Sequence, residues 1–211
     1  MKRLFLLAAA YLVCHISLLA QKTIDARDFH TINLAISADV ILMQGDYQVK
    51  VEGPAEQVDK LKIEVADNAL NIGMKKDSKW GNNWKSDQAI KIYVTMPQVK
   101  ALNLAGSGDI VAQDAFNGLG DLEISVAGSG DVSFKGSAKK VAISVAGNGD
   151  VDASNLNATQ CNISVAGNGD VLIGTTEVLS VSIAGNGDVS YKGEPQKLEK
   201  SIMGNGDVHR M

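Results

Sequence analysis

The stretch Ser144–Val151 reads SVAGNGDV, and Ser164–Val171 repeats it letter for letter. Both copies belong to a longer series. NLAGSGDI begins at Asn103, SVAGSGDV at Ser125, SIAGNGDV at Ser182 and SIMGNGDV at Ser201. The six corners are Gly106-Ser107-Gly108-Asp109, Gly128-Ser129-Gly130-Asp131, Gly147-Asn148-Gly149-Asp150, Gly167-Asn168-Gly169-Asp170, Gly185-Asn186-Gly187-Asp188 and Gly204-Asn205-Gly206-Asp207. Successive Asp residues are 22, 19, 20, 18 and 19 positions apart. A supersecondary unit repeated at a nearly fixed period marks a stacked repeat architecture.

Ahead of each corner the residues alternate. Val141, Ile143 and Val145 take one face and Ala142, Ser144 and Ala146 the other, which is the period of a half-buried strand. Gly and Asn accept positive φ at low cost, so Gly-Asn-Gly predicts a tight corner. Val or Ile after the Asp opens a second short strand. A looser stretch such as SFKGSAKK or DASNLNATQ then absorbs the variation in length. No unit has room for a long helix, and none can bury its apolar face alone, so the units must stack. The reading for residues 101–211 is an all-β fold, a parallel β-helix or β-solenoid of about 19-residue coils. Five or six coils with strands about 4.8 Å apart rise roughly 25 Å. An antiparallel meander of hairpins is the alternative. It would want two similar strands around each corner, whereas here one side is long and uniform and the other short and variable.

Residues 21–100 form an N-terminal β region, either packed on the solenoid or continuous with it. ADVILMQGDYQVKVEG reads as a hairpin around Gly45-Asp46, and LKIEVADNALNIGM as another around Asp67-Asn68. IKIYVTMP is a further strand, and Pro54 to Lys60 suits one helical turn. No linker rich in Pro, Gly or Ser divides the halves, so these strands are expected to cap the first coils. No corresponding cap is evident after the last repeat.

Residues 1–20 are set apart. Lys2 and Arg3, an apolar run and small residues near Ala20 have the layout of a secretory signal peptide, with cleavage expected between Ala20 and Gln21. Cys14 follows Val13, which argues against a lipoprotein signal. Loss of Lys2 and Arg3 leaves 18 basic residues against 24 acidic, a net charge of −6. That composition gives nucleic acid no basic footprint. The sequence after residue 20 has no apolar run long enough for a membrane span. Only Cys161 remains there, so no internal disulfide is expected.

Several chemistries can be weighed against a structural role for the repeat. Stacked Asp residues about 5 Å apart would repel. Calcium would relieve that, but each carboxylate accepting backbone N–H groups of its own corner, as in an Asx turn, is the simpler account, and no cofactor is required. Phosphate loops open helices and carry Lys, unlike these turns. Hydrolysis of polysaccharide needs a singular carboxylate pair, and these carboxylates are evenly repeated. His30 and His209 are in no metal-ligand spacing. The repeated Ser has no partner base in view, so the chain is read as a non-enzyme. Two binding candidates remain. Trp80 and Trp84 lie in KKDSKWGNNWKSDQ, where they either stack on a sugar or partner, or fold back to seal the core. The outer face of Ala and Ser around the corners permits close approach of another surface, self-association included.

The signal segment, the β region ending near VTMP, and the repeated LAGSGDI, SVAGSGDV and SVAGNGDV resemble the exported autotransporter adhesin head family, the GIN domain, also catalogued as a domain of unknown function. The resemblance covers nearly all of the chain after residue 20. It implies a β-helix-like fold, a source mostly among Bacteroidetes, and an adhesive role at the cell envelope, with a surface glycan or envelope protein as partner. A periplasmic structural or sensory component is the alternative, and a polysaccharide-active β-helix enzyme ranks below both. The family brings no catalytic residues. An autotransporter also needs a C-terminal membrane barrel, and here the repeats run to the last residues, so another machine would have to carry the protein to the surface.

Overall fold

A computed structural model describes residues 19–76 and 90–211. In chain order the strands are β1 (Leu19–Ile24), β2 (Thr31–Leu34), β3 (Asp39–Gln44) and β4 (Gln48–Pro54), followed by one turn of helix, α1 (Ala55–Val58). Next come β5 (Leu61–Ala66), β6 (Ala69–Met74), β7 (Lys91–Met96), β8 (Ala101–Leu104) and β9 (Ile110–Ala112). The repeats supply β10 (Phe116–Val126), β11 (Val132–Gly147), β12 (Val151–Gly167), β13 (Val171–Gly185), β14 (Val189–Lys192), β15 (Lys197–Gly204) and β16 (Val208–Arg210). Stacked parallel strands make a β-solenoid of about six turns with roughly 20-residue coils.

Two columns of strands meet at the tight corners. The column entering the corners runs β5-β6-β2-β8-β10-β11-β12-β13-β15, and the column leaving them β1-β4-β7-β3-β9-β11-β12-β13-β14-β16. β11, β12 and β13 are long enough to serve both. Repetition keeps the register: Val141 lies beside Cys161 and then Leu179, and Val145 beside Val165 and then Ile183. Each such row is buried, so apolar side chains pile into one core running from Ala26 to Val208. At the loose corners Phe116 stacks on Phe134, ring centres 5.5 Å apart.

The first coils do not follow chain order. The strands flanking Gly45-Asp46 form where expected, but they are not a hairpin, because β7 lies between β3 and β4. Alternation and a turn signal specify strands, not their partners. β3 instead takes parallel neighbours on both sides, β7 and β9. The second hairpin is as expected. β5 and β6 are antiparallel about Asp67 and Asn68, whose φ of 52° and 57° are those of a type I′ turn. With β4 and β1, also antiparallel, this hairpin forms the N-terminal end of the described stack. Leu19 and Ala20, on the signal side of the expected cleavage point, are the first residues of β1.

The structure adds a seventh copy of the repeat. Asn33 and Leu34 pair with Asn103 and Leu104, and Val40 with Ile110, so NLAISADV at residues 33–40 is the first corner of the stack. It carries Ile36 and Ala38 where later corners carry glycine.

The far end is closed by chemistry instead of a capping element. β15 is mostly exposed and paired on one side only. Its Lys200 stands in the row of Ile163 and Val181, and Arg210 of β16 in the row of Ile173 and Tyr191. Charge at a core-facing position on an edge strand opposes further strand addition.

Candidate functional site

The corners show why the repeat spends its residues as it does. A Cβ on Gly149 would sit 2.1 Å from the carbonyl oxygen of Gly130 one coil below, and a Cβ on Gly169 2.1 Å from that of Gly149. The second glycine is therefore demanded by the neighbouring coil. The expectation that positive φ demands it fails: among these corners φ is positive only at the first glycine, from +135° to +148° at Gly147, Gly167, Gly185 and Gly204. The asparagines are not there for backbone freedom either. Asn168 donates to Asn148 at 2.9 Å, Asn186 to Asn168 at 2.8 Å and Asn205 to Asn186 at 3.0 Å, an amide ladder up the stack.

The aspartates form a second ladder, and its direction corrects the Asx-turn expectation. Each carboxylate accepts the backbone N–H of the Asp in the next coil, from Asp131 N–H to Asp109 at 3.0 Å up to Asp207 N–H to Asp188 at 2.7 Å. The register places that N–H over the carboxylate, so the carboxylates of Asp109, Asp131, Asp150, Asp170 and Asp188 each gain a donor. Among the described residues no three His, Cys, Asp or Glu side chains gather to hold a metal ion.

The outward face of the entering column carries the side chains free to meet a partner. One row runs Asn71, Asn33, Asn103, Ser125, Ser144, Ser164, Ser182, Ser201 in register. Its asparagines are tied together, Asn103 to Asn33 at 2.8 Å and Asn33 to Asn71 at 2.7 Å. Ser144, Ser164, Ser182 and Ser201 are exposed, and so are Ala146, Ala166 and Ala184 beside them. Near the C-terminal end this face dips into a shallow depression of about 370 Å³ bounded by Asn162, Ser180, Ser182, Glu199 and Ser201. Ser180 donates to Glu199 at 3.2 Å, and Lys197 pairs with Glu199 at 2.8 Å. The Lys197 hydrogen bond, then that of Ser180, then the Lys197 charge hold the Glu199 carboxyl below the usual range. A second depression, of about 440 Å³ and lined by Ser137, Asn157, Thr159, Thr175, Thr176 and Glu177 among others, lies along the loose corners. Both offer hydroxyls, an amide and one carboxylate, the groups that exchange hydrogen bonds with polar partners.

One constellation escaped the sequence reading. The Ser190 hydroxyl lies 2.9 Å from His209 Nε2, and His209 Nδ1 lies 3.6 Å from Asp207 Oδ2. The order is that of nucleophile, base and orienting acid. Ser190 is only 7% exposed, between Leu172 and His209 in its row. β14 is paired on both sides, so its backbone N–H groups serve the sheet and not an oxyanion. The bond fastens β16 to the stack. Cys161 is likewise structural: burial pushes its thiol up to about 12, far from a reactive thiolate. Trp80 and Trp84 lie outside the described residues. Among the described residues no helix is long and apolar enough to cross a membrane.

Comparison with known proteins agrees with this architecture. The family described as "Putative auto-transporter adhesin, head GIN domain" matches residues 28–195. No curated protein matches the chain. Among solved structures, a putative adhesin from Bacteroides fragilis superposes with a TM-score of 0.73 at 24% identity, over 92% of this chain and 97% of that one. A putative lipid binding protein from Parabacteroides distasonis gives 0.58 at 24%, over 92% and 96%. A putative adhesin from the same species gives 0.55 at 20%, over 93% and 98%. At these identities the likeness is one of fold.

Proposed function

The chain belongs to the head GIN-domain family of auto-transporter adhesins, and on that premise we propose that it is an exported, non-catalytic binding module of the bacterial cell envelope. The outward face of the entering column meets the partner, a surface glycan or an envelope protein. The observation that carries this reading is the in-register row of exposed serines with the polar depression beside it. Strands stacked about 4.8 Å apart present hydroxyls at a fixed repeat on a rigid backing, which lowers the ordering cost of binding. Trp80 and Trp84 are further contact candidates.

Beads coated with the purified chain, offered to intact cells and to a glycan array, test it. Capture should fall at least tenfold when Ser144, Ser164 and Ser182 are all replaced by Arg with thermal stability retained. Capture unchanged by that triple substitution, and abolished by Trp80→Ala or Trp84→Ala, would move the site to the tryptophans. Protease shaving of intact cells decides the compartment. Digestion places the protein on the surface, and protection until the outer membrane is opened makes the partner periplasmic.

A further inference from the structure

At the end of the solenoid opposite the polar depression, the core of the described residues is bordered by partly buried Ile24 and Ile63. β1 and β5 are the last strands of their columns there. Between them lies a cavity of about 230 Å³ whose apolar lining is Ile24, Val51, Val58, Leu61 and Ile63. Val51, Val58 and Leu61 are buried, while Ile24 and Ile63 are partly exposed at the mouth. Three lysines complete the lining, Lys22, Lys62 and Lys75.

Their placement gives the cavity a charge. Lys22 is directly opposite Val51 in the β1–β4 pair. Residues opposite one another share a face, so Lys22 is on the core side of β1, its stem along the apolar wall and its ammonium at the opening. Lys75 is fixed by donating to the Asp59 carbonyl at the end of α1, 2.5 Å away. Lys62 pairs with Glu64 at 2.5 Å. Glu64 thus balances Lys62, and Lys22 and Lys75 give the mouth its net positive charge. The volume is below the roughly 300–1,000 Å³ of sites for drug-sized ligands, which suits a single alkyl chain and no fused ring system.

We propose that this end of the solenoid binds the acyl chain of a fatty carboxylate, with the chain against Val51, Val58 and Leu61 and the carboxylate between Lys22 and Lys75. The site is separate from the outward face assigned to adhesion, and its test is independent of that reading. Laurate, kept below its micelle concentration, is titrated into the exported chain in a calorimeter, with dodecanol as the neutral probe. One saturable laurate site is expected, with dodecanol at least tenfold weaker. Reversing the mouth charge with Lys22→Glu and Lys75→Glu together should weaken laurate at least tenfold and leave dodecanol unchanged. Lys62→Glu should do less, since Glu64 already offsets that charge. Val58→Trp fills the cavity and should abolish both; Ile63→Asp, at the partly exposed mouth, repeats the test should the Trp variant unfold. Absence of saturable laurate heat, equal binding of the two probes, or full binding by the doubly reversed variant overturns the proposal. So does a dimer in sedimentation that Val58→Trp dissociates, which would make the cavity an interface between two copies.

Discussion

The first corner of the stack and the six above it occupy equivalent places in the coils and differ at the two glycine positions. Ile36 and Ala38 of the first are 3% and 1% exposed and belong to the core. Their counterparts Gly106 and Gly108 cannot carry a side chain, because a Cβ there would lie 2.8 Å from the Ile36 carbonyl oxygen and 2.0 Å from that of Ala38. At every later corner the Cβ direction points back at the coil before it. β6 and β7 pair with β2 and β3 of the first corner, and the sequence between them holds no copy of the repeat. Glycine in this repeat is thus a record of what lies below. Where a copy of the repeat lies below, the chain uses glycine; the first copy uses apolar residues and gains core.

The comparison breaks hardest at the upper corners. Gly149→Val puts a branched side chain against the Gly130 carbonyl and Val126, and should cost about 3 kcal/mol or more, as strong overpacking does. An unchanged urea midpoint would remove the steric account. The Asp ladder comes next. Asp150→Ala leaves the Asp170 N–H without its carboxylate and should cost about 1–2 kcal/mol, with hydrogen exchange at Asp170 faster than at Asp131. Equal exchange at the two would mean that the ladder does not hold the stack. The smallest effect sharpens the contrast. Ala38→Gly removes one buried methyl and should cost about 1 kcal/mol, whereas the reciprocal Gly108→Ala should cost several times as much by the same assay.

Much of this was legible in the sequence. The identical phrases at Ser144 and Ser164, the alternation through Val141, Ile143 and Val145, and the near-constant Asp spacing fix coils, core and corner together. The first copy of the repeat was hidden because it keeps Leu34, Ala35, Ser37, Asp39 and Val40 but lacks both glycines, which are the signal that catches the eye. A search allowing any residue at those two positions would find it. The insertion of β7 between β3 and β4 was not legible, since β7 begins 47 residues after β3 ends, and alternation says nothing about partners at that range. Nor was the direction of the Asp bond, which depends on stacking register and not on local turn chemistry. Ser190, His209 and Asp207 come together only because β14 and β16 pair. The cavity walled by Ile24, Val51, Val58, Leu61 and Ile63 draws on β1, β4, α1 and β5, so no single stretch announces it.

The central claim is that the neighbouring coil, and not the backbone angle, demands the second glycine of each corner. Thermal unfolding of Gly149→Ala beside Gly120→Ala tests it most directly. Neither position has positive φ. A Cβ at Gly149 meets a carbonyl at 2.1 Å, and one at Gly120 meets nothing within 4 Å. The account predicts a midpoint lowered by roughly 6–12 °C for Gly149→Ala, from about 3 kcal/mol in a chain of this size, and an unchanged or slightly raised midpoint for Gly120→Ala. Equal shifts for the two variants would contradict it.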